Sequence, residues 1–146
     1  MERLDFIKKC GALCLGGAVV SQLLQGCQTA HTAVTEQVGN NLKVKKSEFQ
    51  IAKDGSAAFR NYIILHPEKL KFPIYLYRIS DSEYSALWME CTHQGVELSA
   101  NGDFLSCAAH GSEFDKFGKV TEGPANRPLR TFKTTTENEF ILISLA

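Results

Sequence analysis

The stretch CTHQGVELSANGDFLSCAAH, residues 91–110, carries two Cys-His pairs: Cys91-x-His93, thirteen intervening residues, then Cys107-x-x-His110. Between them, Asn101-Gly102 lies inside two arms of alternating apolar residues. That dipeptide predicts a tight hairpin turn, because both central positions of the favoured turn take positive φ. A hairpin of this length returns the chain to its starting point. Cys91 and His93 are therefore expected beside Cys107 and His110, on two loops that face each other at its base.

Working outward, the chain reads as short strands punctuated by turns. Residues 42–51 end at KDGS, 59–66 end before Pro67, and 73–80 end at DSE. YSALWME then runs directly into Cys91. Downstream, FGKVTEG predicts a turn and a short strand, and GPANRPL a proline-containing loop. RTFKTTT with FILISL predicts a final hairpin turned at Glu137 and Asn138. No segment after residue 40 shows a useful helical period, so the domain is expected to be mainly β. Trp88, Phe104, Phe117 and Phe132 are expected in its core, because a small β-domain needs its aromatics for burial.

The chain has 146 residues, 44% of them hydrophobic, with 16 basic and 16 acidic side chains and no net charge. One globular domain is expected. With no basic stripe or charge run, the composition points away from nucleic acid and from electrostatic adhesion to anionic lipid. The N-terminus differs from the rest. Arg3, Lys8 and Lys9 precede an apolar run from Cys10 to Leu24 that is too short to span a bilayer comfortably but suits the core of an export signal. LLQGC, ending at Cys27, resembles a bacterial lipobox, in which the Cys is lipidated and becomes the mature N-terminus. Residues 1–26 are thus expected to be a signal peptide with a lipobox. Residues 27–41, polar and without period, are expected to be a lipidated flexible tether with His31 as a solvated residue, and 42–146 to be the folded domain. The protein is accordingly expected to be an exported, membrane-anchored lipoprotein facing the periplasm or cell exterior.

Cleavage would remove Cys10 and Cys14, and Cys27 would carry lipid, which leaves Cys91 and Cys107. An exported domain with two Cys invites a disulfide, but a disulfide does not explain a His two or three residues after each. Two thiolates and two imidazoles suit a tetrahedral structural Zn²⁺. Zinc fingers, however, pair Cys with Cys and His with His, and Cys-x-His is an awkward bite on one small ion. A [2Fe-2S] cluster has two irons, and the alternation follows if each loop gives one Cys to one iron and one His to the other.

At this point the sequence resembles the Rieske iron–sulfur proteins over roughly residues 42–146. CTHQG and CAAHGSEFD look like the two cluster-binding boxes, and GPANRPL like the loop that covers the cluster. The resemblance implies a Rieske-type antiparallel β-sandwich with a small cluster-binding subdomain. It also implies a [2Fe-2S] cofactor with Cys91 and Cys107 on one iron and His93 and His110 on the other. High-potential members carry a further Cys in each box, joined by a disulfide; here Val96 and Ala109 stand in those places. Ser112 matches the serine whose hydroxyl donates to a cluster sulfur, and Phe114 stands where those members have tyrosine. One sulfur hydrogen bond of two predicts an intermediate potential within the roughly −150 to +300 mV that Rieske centres span.

The function expected on this reading is one-electron transfer by a membrane-tethered carrier with no substrate site of its own. Its partners would be redox proteins: a cytochrome, a quinol-oxidising complex or a molybdenum oxidoreductase. Two alternatives stand beside it. One is a small electron-transfer subunit of an oxidoreductase, similar to the Rieske subunit of arsenite oxidase or to an oxygenase ferredoxin. The other is a structural zinc module.

Overall fold

A computed structural model describes residues 30–53 and 56–146. The expected signal peptide, its lipobox and Cys27 lie outside the described residues. Fourteen short strands occur in chain order: β1 Thr35–Val38, β2 Asn41–Lys45, β3 Gln50–Lys53, β4 Ser56–Phe59, β5 Tyr62–Leu65, β6 Ile74–Arg78, β7 Tyr84–Trp88, β8 Ser99–Asn101, β9 Phe104–Ser106, β10 Glu113–Asp115, β11 Val120–Glu122, β12 Thr131–Phe132, β13 Thr134–Glu137 and β14 Phe140–Ser144. The described residues hold one further element, a single 3₁₀ turn at Lys46–Phe49.

The strands form three antiparallel four-stranded sheets and a hairpin. The first sheet has the order β1-β2-β14-β13, the second β12-β7-β6-β5, and the third β11-β10-β9-β8, while β3 pairs with β4. Alternation decides the first face: Leu42, Val44, Ile141 and Ile143 point inward from β2 and β14. They meet Ile63, Leu65, Ile74, Leu76 and Ala86 of the second sheet around Phe49. The two sheets therefore make a sandwich.

The second sheet is covered on both faces. Ile74, Tyr75, Leu76 and Tyr77 are all buried in succession, as a continuous apolar run requires when neither face sees water. Its far face, with Ile64, Tyr75, Tyr77, Leu87 and Met89, packs on Leu98, Leu105, Phe114, Ala125 and Leu129. The small third sheet is thus seated on the sandwich as a subdomain, and Cys91 and Cys107 belong to this second core.

Several expectations are corrected. The tether read over residues 27–41 becomes fold before its expected end. Ala33 is buried, its amide donates to the Ile64 carbonyl at 3.0 Å, and β1 pairs along β2. β1 lies at a sheet edge, where backbone partners suffice and no side chain of the strand is fully buried. His31 is not a solvated residue, since its Nε2 lies 2.7 Å from Glu48 Oε2. RTFKTTT divides at Lys133, β12 joining β7 in the second sheet and β13 joining β14 in the first. Phe132 is buried as expected, but Phe104 and Phe117 are 37% and 53% exposed on the subdomain, whose three-residue strands are too small to cover them.

The hairpin also turns one residue later than Asn101-Gly102 predicts. Asn101 pairs with Phe104, so the two turn residues are Gly102 and Asp103. Only Gly102 has positive φ, at 69°, the pattern of a II′ turn. The Asn101 side-chain amide explains the shift. It donates to Ser106 Oγ at 2.8 Å and to the Ser99 carbonyl at 3.2 Å, which holds Asn101 within the strand.

Candidate metal centre

The two Cys-His loops leave the third sheet at its base and share one backbone frame. In the first, the Cys91 amide donates to the Val96 carbonyl and the Gly95 amide returns to the Cys91 carbonyl, both at 2.8 Å. In the second, the Cys107 amide donates to the Ser112 carbonyl at 2.8 Å and the Gly111 amide to the Cys107 carbonyl at 2.9 Å. Gly95 and Gly111, each four residues after its Cys, have φ of 67° and 81°. A side chain there would be strained, so glycine is what lets each loop close. The repeated C-x-x-x-G is visible in the sequence and was a signal for this frame that the spacing of Cys and His alone does not convey.

Each frame sorts its donors by depth. Cys91 and Cys107 are both 2% exposed and both are free thiols, so no disulfide joins them. His93 is half-buried and His110 is exposed. The two imidazole rings meet edge to face with centroids 4.9 Å apart. The structure thus seats both cysteines in the second core and sets the two imidazoles against each other at its edge.

His93 Nδ1 is buried and has no hydrogen-bond partner, alone in this respect among the side chains of the described residues. An orphaned buried nitrogen costs about 1–3 kcal/mol, which a bound metal would relieve. Among the described residues no three His, Cys, Asp or Glu side chains are gathered as a single ion would need. Two buried thiols and two imidazoles on duplicated loops fit a two-iron cluster, with two donors for each metal.

Ser112 is fully buried. Its Oγ accepts from the Ala125 amide at 3.0 Å, and its own proton makes no hydrogen bond among the described residues. That proton is therefore free to point at a sulfur. Phe114 is also fully buried and has no hydroxyl to offer. The loop over residues 123–130 approaches from the other side. The Thr92 hydroxyl donates to the Arg127 carbonyl at 2.7 Å, and the Arg127 guanidinium donates to the Thr92 carbonyl at 3.3 Å. Thr92, Ala125 and Arg127 did not stand out as sequence. Beside the first loop lies an open groove of about 570 Å³ that includes Trp88, His93, Gln94 and Arg130 in its lining.

Tyr75 anchors the hairpin above the loops. Its hydroxyl donates to the Gly102 carbonyl at 2.8 Å, and its ring stacks on Tyr62 and Tyr77 at 5.2 and 6.0 Å. Burial, with Tyr77 and Tyr62 adding to it, pushes the hydroxyl well above the usual tyrosine range.

The sequence matches the family described as Rieske [2Fe-2S] domain over residues 40–133. It is 39% identical over 56 residues to cytochrome b6-f complex iron-sulfur subunit 2 of Nostoc, a stretch that is 37% of this chain and 32% of that protein. With the cytochrome b6-f complex iron-sulfur subunit of Chlorobaculum tepidum it shares 34% identity over 58 residues, 38% and 32% of the two chains. The match thus spans about a third of the length of these curated relatives. Among solved structures the chain is similar to a cyanobacterial plasma membrane Rieske protein from Synechocystis. Identity there is 29% and the TM-score 0.50, over 57% of this chain and 86% of that one. A quaternary ammonium Rieske monooxygenase shares the fold alone, with 18% identity and a TM-score of 0.53 over 81% of this chain and 32% of its own.

Proposed function

The chain belongs to the Rieske [2Fe-2S] domain family, and on that footing we propose that it is a one-electron carrier held at a membrane surface by lipid on Cys27. Cys91 and Cys107 would hold one iron and His93 and His110 the other. When bound, the cluster takes up and returns a single electron. The observation that carries this reading is the duplicated loop frame, which buries both thiols and leaves both imidazoles near solvent at 4.9 Å from each other.

The chain's own residues divide the work. The second core excludes water from the sulfurs, and Ser112, its oxygen engaged by Ala125, keeps its proton for a sulfur. A hydrogen bond that favours the more negative reduced state raises the potential. His93 and His110 form the face that a partner approaches closely. That partner would be a redox protein: a cytochrome, a quinol-oxidising complex or a molybdenum oxidoreductase. What supports this placement is the sequence of residues 1–26, which reads as an export signal ahead of Cys27, so the domain would face the periplasm or cell exterior. No helix among the described residues is long and apolar enough to cross a membrane.

The test is an EPR spectrum of the dithionite-reduced protein together with its iron content. A rhombic signal of low average g, with two irons per chain, supports His ligation and the carrier reading. A folded protein that binds zinc, or holds no metal, overturns it. Cys27→Ser should move the protein from the membrane to the soluble fraction; retention in the membrane would refute the lipid anchor.

A further inference from the structure

The chain is fixed to the fold much closer to Cys27 than a long tether would allow. The His31 carbonyl accepts from the Ile64 amide at 2.9 Å, and the Ala33 amide donates to the Ile64 carbonyl at 3.0 Å. Ala33 is buried in the first core, and His31 Nε2 lies 2.7 Å from Glu48 Oε2. Glu48 is itself held, because the Arg60 guanidinium donates to the Glu48 and Gln50 carbonyls at 3.2 and 2.6 Å. Residues 31–33 are thus a strap seated against β5 and the 3₁₀ turn. His31 is the fourth residue after Cys27, and four residues reach at most about 14 Å even when fully extended. That is close to the radius of gyration of a domain of this size, about 13 Å. A lipid on Cys27 therefore holds the strap end of the domain against the bilayer.

Beside the strap lies the outer face of the first sheet. Leu42, Val44, Ile141 and Ile143 point inward, so Lys43, Lys45, Phe140 and Leu142 point outward from β2 and β14. Val34 and Val38, 81% and 52% exposed, flank them from the strap and from β1. An open hollow of about 290 Å³ joins Val34 to Lys43, Lys45 and Phe140, with Glu48, the strap's own partner, in its wall. Lys43 Nζ sits 4.0 Å from the centre of the Phe140 ring, and among the described residues neither Lys43 nor Lys45 forms an ion pair. Glu36, across from Lys43 in the register, makes the face mixed in charge. The first sheet covers one side of the second sheet and the subdomain the other, so this face and the subdomain lie at opposite ends of the stack.

We propose that the outer face of the first sheet, with Val38, Lys43, Lys45, Phe140 and Leu142, docks on the phospholipid surface, and that the strap at residues 31–33 enforces the docking by keeping the leash short. The proposal rests on the lipid anchor at Cys27. Lipid is the occupant because the length of chain between Cys27 and His31 holds this face beside the bilayer. The chain has no net charge to draw it to a membrane. Confinement by the leash instead raises the local concentration of headgroups, so a few weak contacts suffice. The two lysines meet lipid phosphates while their stems and the apolar side chains lie deeper. Docked this way, the subdomain points to water, and a redox partner reaches its imidazoles from solution.

The experiment places a polarity-sensitive dye on Val38→Cys or, as the control, on Phe117→Cys of the subdomain, each in the full-length protein. The protein is reconstituted in vesicles of phosphatidylcholine and phosphatidylglycerol that carry a lipid-borne quencher, and peptide mass verifies the labelled site. Emission from the Val38 site should be blue-shifted and quenched, whereas emission from the Phe117 site should match that of a dye in water. Lys43→Gln and Lys45→Gln should each lower the ratio of quenched to unquenched dye at the Val38 site by about fivefold, without releasing protein from the vesicles. Inserting about twenty Gly and Ser residues after Gln28 should lower that ratio too, since a longer leash dilutes the face relative to the lipid. Equal quenching at the two sites overturns the docking, and quenching at the Val38 site that ignores the insertion overturns the role of the strap. Mass spectrometry of Cys27 separates this proposal from the reading it rests on. Without lipid there the anchor fails and the docking falls with it; lipid on Cys27 with an unquenched Val38 site defeats the docking alone.

Discussion

Replacing Ser112 by Ala separates two roles that one hydroxyl plays. Ser112 is fully buried, and its oxygen accepts from the amide of Ala125, which is itself only 5% exposed. Removing the hydroxyl orphans that amide, at a cost of about 1–3 kcal/mol whether or not metal is present. The second role is electrostatic. A hydrogen bond to a charged acceptor is worth about 1.5–3 kcal/mol against about 1 kcal/mol for a neutral one. The extra electron of the reduced state therefore strengthens a Ser112–sulfur bond by roughly 0.5–2 kcal/mol. At 59 mV per tenfold for a one-electron couple, Ser112→Ala should lower the potential by roughly 20–90 mV.

The assay is a redox titration of the EPR signal, run beside denaturant unfolding of the metal-free protein. Phe114→Tyr is the converse variant. It offers a second hydroxyl at a fully buried position and should raise the potential by a similar amount, against some overpacking cost. A stability loss in Ser112→Ala with no change in potential would refute the electrostatic role and leave Ser112 as a purely structural link to the 123–130 loop. A lowered potential with unchanged stability would refute the Ala125 contact instead.

Tyr75 gives a pH prediction. Its folded-state pKa is raised above the unfolded value of 10.0, so the unfolded chain releases its proton first as pH rises. The contribution of Tyr75 should be constant through neutral pH and be lost above about pH 10, and Tyr75→Phe should flatten that loss in unfolding curves. Gly111→Ala should cost about 1–2 kcal/mol, since φ is 81° but a Cβ would meet nothing within 4 Å. Gly118→Ala should cost more in the same denaturant series, because strain there is joined by contact with Leu87 and Leu129. Phe49→Ala, which removes the centre of the first core, should cost about 3–5 kcal/mol.

What was legible in the sequence is what chemistry or backbone geometry demands of particular residue types. The four candidate donors stood out because few groups other than a metal need Cys and His in that alternation, and the structure seats both cysteines in one core and sets the two imidazoles edge to face. The hairpin between them could be read from its turn residues. Its register could not, because the choice between Asn101-Gly102 and Gly102-Asp103 rests on hydrogen bonds from the Asn101 side chain to Ser99 and Ser106. β1 was illegible for a different reason: TEQV pairs through its backbone at an edge, and although its burial alternates, its residue types show no apolar–polar alternation. The break at Lys133 has no local sign at all. It is set by which sheet Phe132 and Thr134 can reach, a property of the whole sandwich.

The two loops show how a repeated backbone can carry unequal ligands. Counting from each Cys, the closing glycine falls four residues on and the closing carbonyl five residues on in both, yet the His falls two residues on in one loop and three in the other. Equivalent frames thus present their imidazoles from inequivalent positions, and the rings meet at 89° instead of lying parallel. A single ion has no use for two copies of a frame that hides a thiol and lifts an imidazole. Two metals do, because the duplication hands each of them a matched pair of donors while the one-residue offset brings the imidazoles to a common edge. The same offset goes with a half-buried His93 and an exposed His110, so the two candidate outer ligands are unequal toward solvent. On the proposed carrier reading, a partner that approaches this edge would meet His110 first.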